Sequence, residues 1–332
     1  MKKRLLLLLI LPLLLLTGCS NSTNYKGVVN VLNWSSYIPE NVIRDFEKEY
    51  NIKVNYGTYS SNEELLAKVT SSKKGTYDVV FPSDYMVELM IDKKLVQKLD
   101  KSKLSNFKNI NELFLNQSYD PNNKYSVPFL STIVVIAYNS DKVERITGYD
   151  DLLSKEHNNN IVMLDDQRIV IGLALMSMGH EMNETNPEAL EEAKLWLEAL
   201  KPNIKAYDSD SPKTFFITDE VDIGVMWSAE AILAKEKNPN IRIVYPAEGH
   251  GISTDNYVIL DGAKNKENAY LFIDYLMKNN VSQKIVDEYP YISPNKNIES
   301  SISLNQVFNN GNYVKNIGSN IKKYDKLWAD IK

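Results

Sequence analysis

Val28-Val29-Asn30-Val31-Leu32, Ile52-Lys53-Val54-Asn55-Tyr56 and Asp78-Val79-Val80-Phe81 each read as a strand, and the segments between them decide the fold. Pro39 and Glu40 open the first of those segments. Its Val42, Phe46 and Tyr50 recur at i, i+4 and i+8, so they share one helix face. Ser61 with Glu64 makes the capping-box pattern ahead of Leu65, Leu66 and Val69, which predicts a second helix. This β-α-β-α-β order predicts a parallel sheet with helices on its faces.

Working outward, the same alternation continues. Ile133 to Tyr138 is an apolar run that leaves this first unit. Ile161 to Leu164 reads as a strand, and Asp166 caps a helix running to Gly179. Asn186-Pro187 is an N-cap followed by Pro at the first helical position, starting an amphipathic helix through Leu200. Val221 to Met226, Ile241 to Tyr245 and Tyr257 to Leu260 read as strands, with a helix over Lys266 to Met277 after the last. Two α/β domains joined by more than one crossover would leave a cleft between them.

The first eighteen residues read differently. Lys2, Lys3 and Arg4 precede an almost pure leucine run, Leu5 to Leu16, which is too short to span a bilayer and has the form of an export leader. Leu16-Thr17-Gly18-Cys19 resembles the lipobox of bacterial lipoproteins. That resemblance implies acylation of Cys19, the only cysteine of the chain, and removal of residues 1–18. Two or more acyl chains hold a protein on a membrane stably. Residues 19–26 then form a lipid anchor and polar tether, at the extracytoplasmic face of the cell membrane.

Removing eighteen residues from 332 leaves 314, enough for two domains with their own cores. The leader carries three basic residues and no acidic one, so net charge moves from −5 to −8. That acidity argues against nucleic acid, which needs a basic patch. With Cys19 acylated no disulfide forms. The three histidines, His157, His180 and His250, make no HExxH or other close metal pair, and no phosphate loop or G-x-S-x-G occurs. No metal, no cofactor and no enzymatic activity are expected.

Seven segments, in order, carry a resemblance to a known family. They are Leu32-Asn33-Trp34-Ser35-Ser36-Tyr37-Ile38-Pro39, Tyr77-Asp78-Val79-Val80-Phe81-Pro82-Ser83-Asp84-Tyr85 and Leu99-Asp100-Lys101-Ser102-Lys103-Leu104, then Asp120-Pro121-Asn122-Asn123, Leu164-Asp165-Asp166-Gln167-Arg168, Gly224-Val225-Met226-Trp227 and Tyr291-Ile292-Ser293-Pro294-Asn295. Through them the chain resembles the spermidine/putrescine-binding proteins of ABC importers. The resemblance implies a type II periplasmic-binding-protein fold, two α/β lobes with a ligand cleft and hinge between them. The lobes would be 27–134 plus 256–301 and 135–255 plus 302–332. It further implies a monomer that hands a polyamine to ABC permease subunits. The alternatives are a different cationic amine, or the same body acting as a polyamine sensor for a signalling partner.

A polyamine is a methylene chain carrying ammonium groups at intervals. Each ammonium needs oxygens to replace its water, and aromatic faces supply both an apolar wall and a cation–π attraction of roughly 0.5–2 kcal/mol. The residues that the resemblance implies fit that demand. Trp34, Tyr37, Tyr85, Trp227 and Tyr291 would flank the methylenes, Asp166, Glu230 and Asp255 would neutralise amines, and Ser35 and Ser83 would add hydrogen bonds. Taken alone, Asp166 also reads as a helix cap, Asp255 as a turn residue beside Gly251, Ser253 and Asn256, and Glu230 as a solvated helix residue. The chain departs from the family pattern where relatives commonly have a carboxylate (Ile169), a tryptophan (Ser253), an acid (Ser36) and a glutamine (Val314). Two answers follow: Glu230 takes over as the acid for one end of the ligand, or the ligand differs, with fewer charges or one polar uncharged end, to which the lost aromatic wall at Ser253 also points.

Overall fold

A computed structural model describes residues 25–35 and 37–332, so Cys19, the leader and Ser36 lie outside the described residues. Among the described residues ten strands form: β1 (Gly27–Trp34), β2 (Ile52–Tyr59), β3 (Val79–Val80), β4 (Ser126–Asn139), β5 (Ile161–Met163), β6 (Ile204–Tyr207), β7 (Ile223–Trp227), β8 (Ile241–Val244), β9 (His250–Ile259) and β10 (Gly311–Tyr313). They run in the order β2-β1-β3-β9-β4-β7-β5-β6, with β10 against β9 and β8 against β4.

The opening reads true. β1 pairs parallel with β2 and β3, and β5 pairs parallel with β6 and β7. The parallel expectation fails at the centre, where β9 runs antiparallel to β3 and β4, and β4 runs antiparallel to β7 and β8. Hydrophobic pattern gives no strand direction. All fourteen residues of β4 are buried, which is the look of a parallel core strand although its neighbours are antiparallel. β4 also changes partner midway. Ile133 lies opposite Ile252 of β9, and the next residue, Val134, lies opposite Trp227 of β7.

β9 starts seven residues before the expected Tyr257. Its polar half, His250 to Asn256, reads as a turn by composition but pairs with β10 over His250 to Ile252 and with β4 from Ile252 onward, with Ser83 bridging to Asp255. Thr254, Asp255 and Asn256 are consequently buried in mid-strand. The turn reading of Asp255 is therefore corrected.

The helices follow their local signals closely. Glu40–Tyr50 buries Val42 and Phe46. Ser61 accepts from the Glu64 amide at 3.1 Å, but the Glu64 carboxylate returns to the Ser60 amide at 2.8 Å, one residue before the usual partner. Asp166 caps Gln167–Ser177, and Asn186 caps Pro187–Leu200. The largest core cluster, including Phe46, Phe81, Phe129 and Phe272, runs on into Phe216, Met226 and Ile241, a second includes Tyr149, Leu164, Ile171 and Tyr324, and a smaller third includes Leu32, Tyr59 and Met86.

A buried carboxylate pins the first sheet. Asp78 Oδ2 accepts from the Asn30 amide (2.8 Å), the Asn30 side chain (3.0 Å) and the Asn265 side chain (2.9 Å), and Oδ1 accepts from the Asn265 amide (2.9 Å). One side chain thus joins β1, the approach to β3 and the start of helix Lys266–Leu276. Asp78→Ala leaves several donors without a partner. It is expected to lower stability by about 3 kcal/mol in urea denaturation, with an unchanged midpoint contradicting the role.

Candidate functional site

The chain turns away from the sheet at the carboxyl ends of β1, β3, β5 and β7, and those turns carry Trp34-Ser35, Ser83-Asp84-Tyr85, Asp166 and Trp227. This is where open α/β sheets present ligand groups. β9 adds Asp255, helix Ser228–Lys237 adds Glu230 in its first turn, and the segment after helix Asn279–Glu288 adds Tyr291. All ten expected ligand residues line one cleft of about 460 Å³, together with Ile169, Ser253 and Val314.

One side of the cleft is aromatic. The Trp34 indole donates to the Phe81 carbonyl at 3.0 Å, which fixes its plane, and Tyr59 donates to the same oxygen at 2.6 Å. The Trp34 and Tyr37 rings lie 6.1 Å apart, 29° from parallel, and Tyr37 and Tyr291 lie 4.7 Å apart. Such rings present negative faces to a cation.

The charge is lopsided, with eight carboxylates against Arg168 and Lys213. Their individual environments differ. Asp255, 4 % exposed, accepts from Ser83 Oγ at 2.6 Å. Burial pushes its pKa up to about 7, against the pull of hydrogen bonds from Ser83, Tyr37 and Trp34. Asp166 is raised by burial too, although its Oδ1 accepts the cap amides of Arg168 (2.9 Å) and Ile169 (3.1 Å). The cap reading of Asp166 is therefore correct and leaves the cleft position intact.

Glu230 is not the solvated residue that its helix position suggests. It is buried, and Lys213 Nζ donates to both of its oxygens at 3.0 and 2.8 Å. The expectation of a spare acid at this end meets an ion pair already made. Ser35 donates to Asp210 at 3.0 Å, bridging the turn after β1 to the segment after β6. Tyr85 donates to Glu63 at 3.0 Å. Ile169 is 1 % exposed and contributes an apolar wall.

Sequence reasoning missed Asn62, Glu63, Asp84, Asp210 and Lys213. Asn62 exchanges hydrogen bonds with Ser83, and its Nδ2 donates to the Ser83 oxygen at 3.2 Å, which fixes the hydroxyl that serves Asp255. Asn62 and Glu63 open a helix and look like ordinary N-terminal polar residues. Only the Ser83-Asp84-Tyr85 segment gave a signal that Asp84 is near the site. Among the described residues no cluster of metal-binding side chains occurs, and no helix is long and apolar enough to cross a membrane.

Residues 41–308 match the family described as bacterial extracellular solute-binding protein. The chain belongs to that family. Among its relatives is the spermidine/putrescine-binding periplasmic protein of Salmonella typhimurium, 35% identical over 90% of each chain. A putative spermidine/putrescine ABC transporter structure from Listeria monocytogenes superposes with a TM-score of 0.85 at 31% identity, covering 92% of this chain and 98% of that one. A lipoprotein of Treponema pallidum superposes with a TM-score of 0.85 at 27% identity, covering 92% and 99%. The fold is thus that of the periplasmic binding proteins.

Asp255 makes the ligand-free solute-binding protein sensitive to pH. The folded chain keeps the Asp255 proton from about pH 4 to about pH 7, whereas the unfolded chain loses it near pH 4. Stability at this site therefore falls as pH rises through that window and is flat above it. Asp255→Asn mimics the neutral acid. It is expected to be more stable than the parent at pH 8 by roughly 2–4 kcal/mol and equal to it near pH 4. Coincident urea curves at pH 8 would contradict the burial argument.

Proposed function

We propose that this chain is the extracytoplasmic receptor of an ABC importer, capturing a polyamine, spermidine or putrescine, and presenting it to the permease. The observation that carries the reading is an aromatic-walled cleft with eight carboxylates and two cations, two of the acids being Asp166 and Asp255 inside it. Net negative charge within low-dielectric walls attracts a cation, and the rings suit methylenes. The names of the relatives from Salmonella typhimurium and Listeria monocytogenes support the same ligand class.

In this reading Trp34, Tyr37, Tyr85, Trp227 and Tyr291 flank the carbon chain. Asp255 and Asp166 meet ammonium groups, and Ser83 orients Asp255. The lobes are 27–134 plus 256–301 and 135–255 plus 302–332; the change of β4 partners between Ile133 and Val134 supports the first crossover. The lobes close about β4 and β9, and binding is non-covalent, without metal or other cofactor. The protein works as a monomer outside the cytoplasmic membrane.

Calorimetric titration of residues 20–332, unfolded and refolded to strip carried-over ligand, tests this with putrescine, spermidine, spermine, agmatine and uncharged controls. At pH 8 one polyamine is expected to bind at micromolar or tighter affinity, and Asp255→Ala to weaken it about tenfold or more by leaving an ammonium unpaired. An ammonium beside Asp255 favours its ionised form, so binding at pH 6 is expected to release close to one proton and to be weaker than at pH 8. Silence across the panel in folded protein would end the polyamine reading.

The lipid anchor is proposed from Leu16-Thr17-Gly18-Cys19, and the Treponema pallidum lipoprotein of the same fold supports it. Cys19→Ala is expected to move the protein from the membrane fraction to the soluble fraction. Retention on membranes would contradict acylation.

A further inference from the structure

We propose that Lys213 is a built-in ammonium that fills one cation position of the cleft and thereby sets the ligand class to diamines. This inference rests on the polyamine reading above and sharpens it. Lys213 opens the short helix Lys213–Ile217, and Glu230 stands in the first turn of helix Ser228–Lys237. Both side chains line the cleft. Lys213 Nζ grips both Glu230 oxygens, at 3.0 and 2.8 Å, and reaches Ser211 Oγ at 3.4 Å. The Glu230 side chain is 8 % exposed and that of Lys213 is 27 % exposed, so the pair is sheltered from water on the carboxylate side. A terminal ammonium of a ligand has the same charge and hydrogen-bonding capacity as Lys213 Nζ. It would have to displace a group that is tethered to the chain and therefore always at high local concentration.

The remaining charges fit two ammonium groups. Asp84 is buried, and its two oxygens accept the amides of Tyr85 (2.8 Å) and Thr254 (3.2 Å). Glu63, Asp165, Asp210 and Glu288 are exposed. That leaves Asp255 and Asp166 as the sheltered carboxylates facing the cleft without a cationic side chain hydrogen-bonded to them. Ile169 and Val314 extend the wall with no third charge. A diamine satisfies both acids. A third ammonium would meet Lys213 or an apolar surface, and an unpaired buried charge is costly.

The test compares the putrescine and spermidine dissociation constants of four proteins by calorimetry at pH 8. They are the parent, Lys213→Met, Lys213→Arg and the double variant Lys213→Met with Glu230→Gln. The parent is expected to prefer putrescine. Lys213→Met frees Glu230 and is expected to move the ratio toward spermidine by about tenfold or more. Lys213→Arg keeps the parental ratio, and the double variant loses the shift because the freed carboxylate is gone. Circular dichroism checks folding, and Lys213→Gln, which keeps a hydrogen-bond donor, replaces Lys213→Met if that protein does not fold. A parental ratio in Lys213→Met, with putrescine still bound, overturns the role of Lys213 and leaves the polyamine reading standing. Failure of every polyamine to bind the parent and Lys213→Met overturns both.

Discussion

The antiparallel pairing of β4 with β9 is the constraint to which the cleft is referenced. β9 is held by β3 and β4 on its two edges, with β10 beside its first three residues, and β4 passes from β9 to β7 without a break. Asp255 sits on this pair, and its neighbour Thr254 donates its amide to Asp84. The turns after β1 and β3 bring Trp34 and Ser83 to it, and the turns after β5 and β7 bring Asp166 and Trp227 to the other side. Because a ladder hydrogen bond fixes neighbouring strands about 5 Å apart, these side chains converge without any sequence proximity.

That framework holds a carboxylate where water does not reach it well. Asp255 has a hydroxyl, a nearby phenol and an indole for company, but no cation. Removing a charge from water costs several kcal/mol unless a counter-charge replaces it. The ionised form of Asp255 is therefore disfavoured by its burial. In the proposed reading, a bound ammonium would supply the missing charge, and part of the binding free energy would come from relief of this unfavourable burial. Marginally stable folds tolerate a few such groups when the rest of the core is well packed. Here the packed cores and the Asp78 staple provide that packing.

Glu230 shows the opposite arrangement in the same cavity. It too is buried, yet Lys213 answers its charge from within the chain. Two carboxylates of similar burial therefore differ in what they offer a ligand. Counting acids in a cleft is a poor guide to ligand charge until each acid's partner is known. Ser35 with Asp210 and Tyr85 with Glu63 make the same point with neutral donors.

Local chemistry was legible in the sequence because it acts over a few residues. The first three strands, the helix with Val42 and Phe46, and the Ser61, Asp166 and Asn186 caps all follow from spacing, propensity and capping. Family resemblance added the ten cleft residues, which no periodicity could have gathered. Tertiary structure alone decided three things. It set the direction of β4 and β9, since a buried run of apolar residues looks alike in either sense. It turned His250 to Asn256 from an apparent turn into a central strand, since pairing partners on two edges outweigh weak intrinsic preference. It also joined Lys213 to Glu230, seventeen residues away, because charge pairing depends on distance in space and burial, and neither is written in the order of residues.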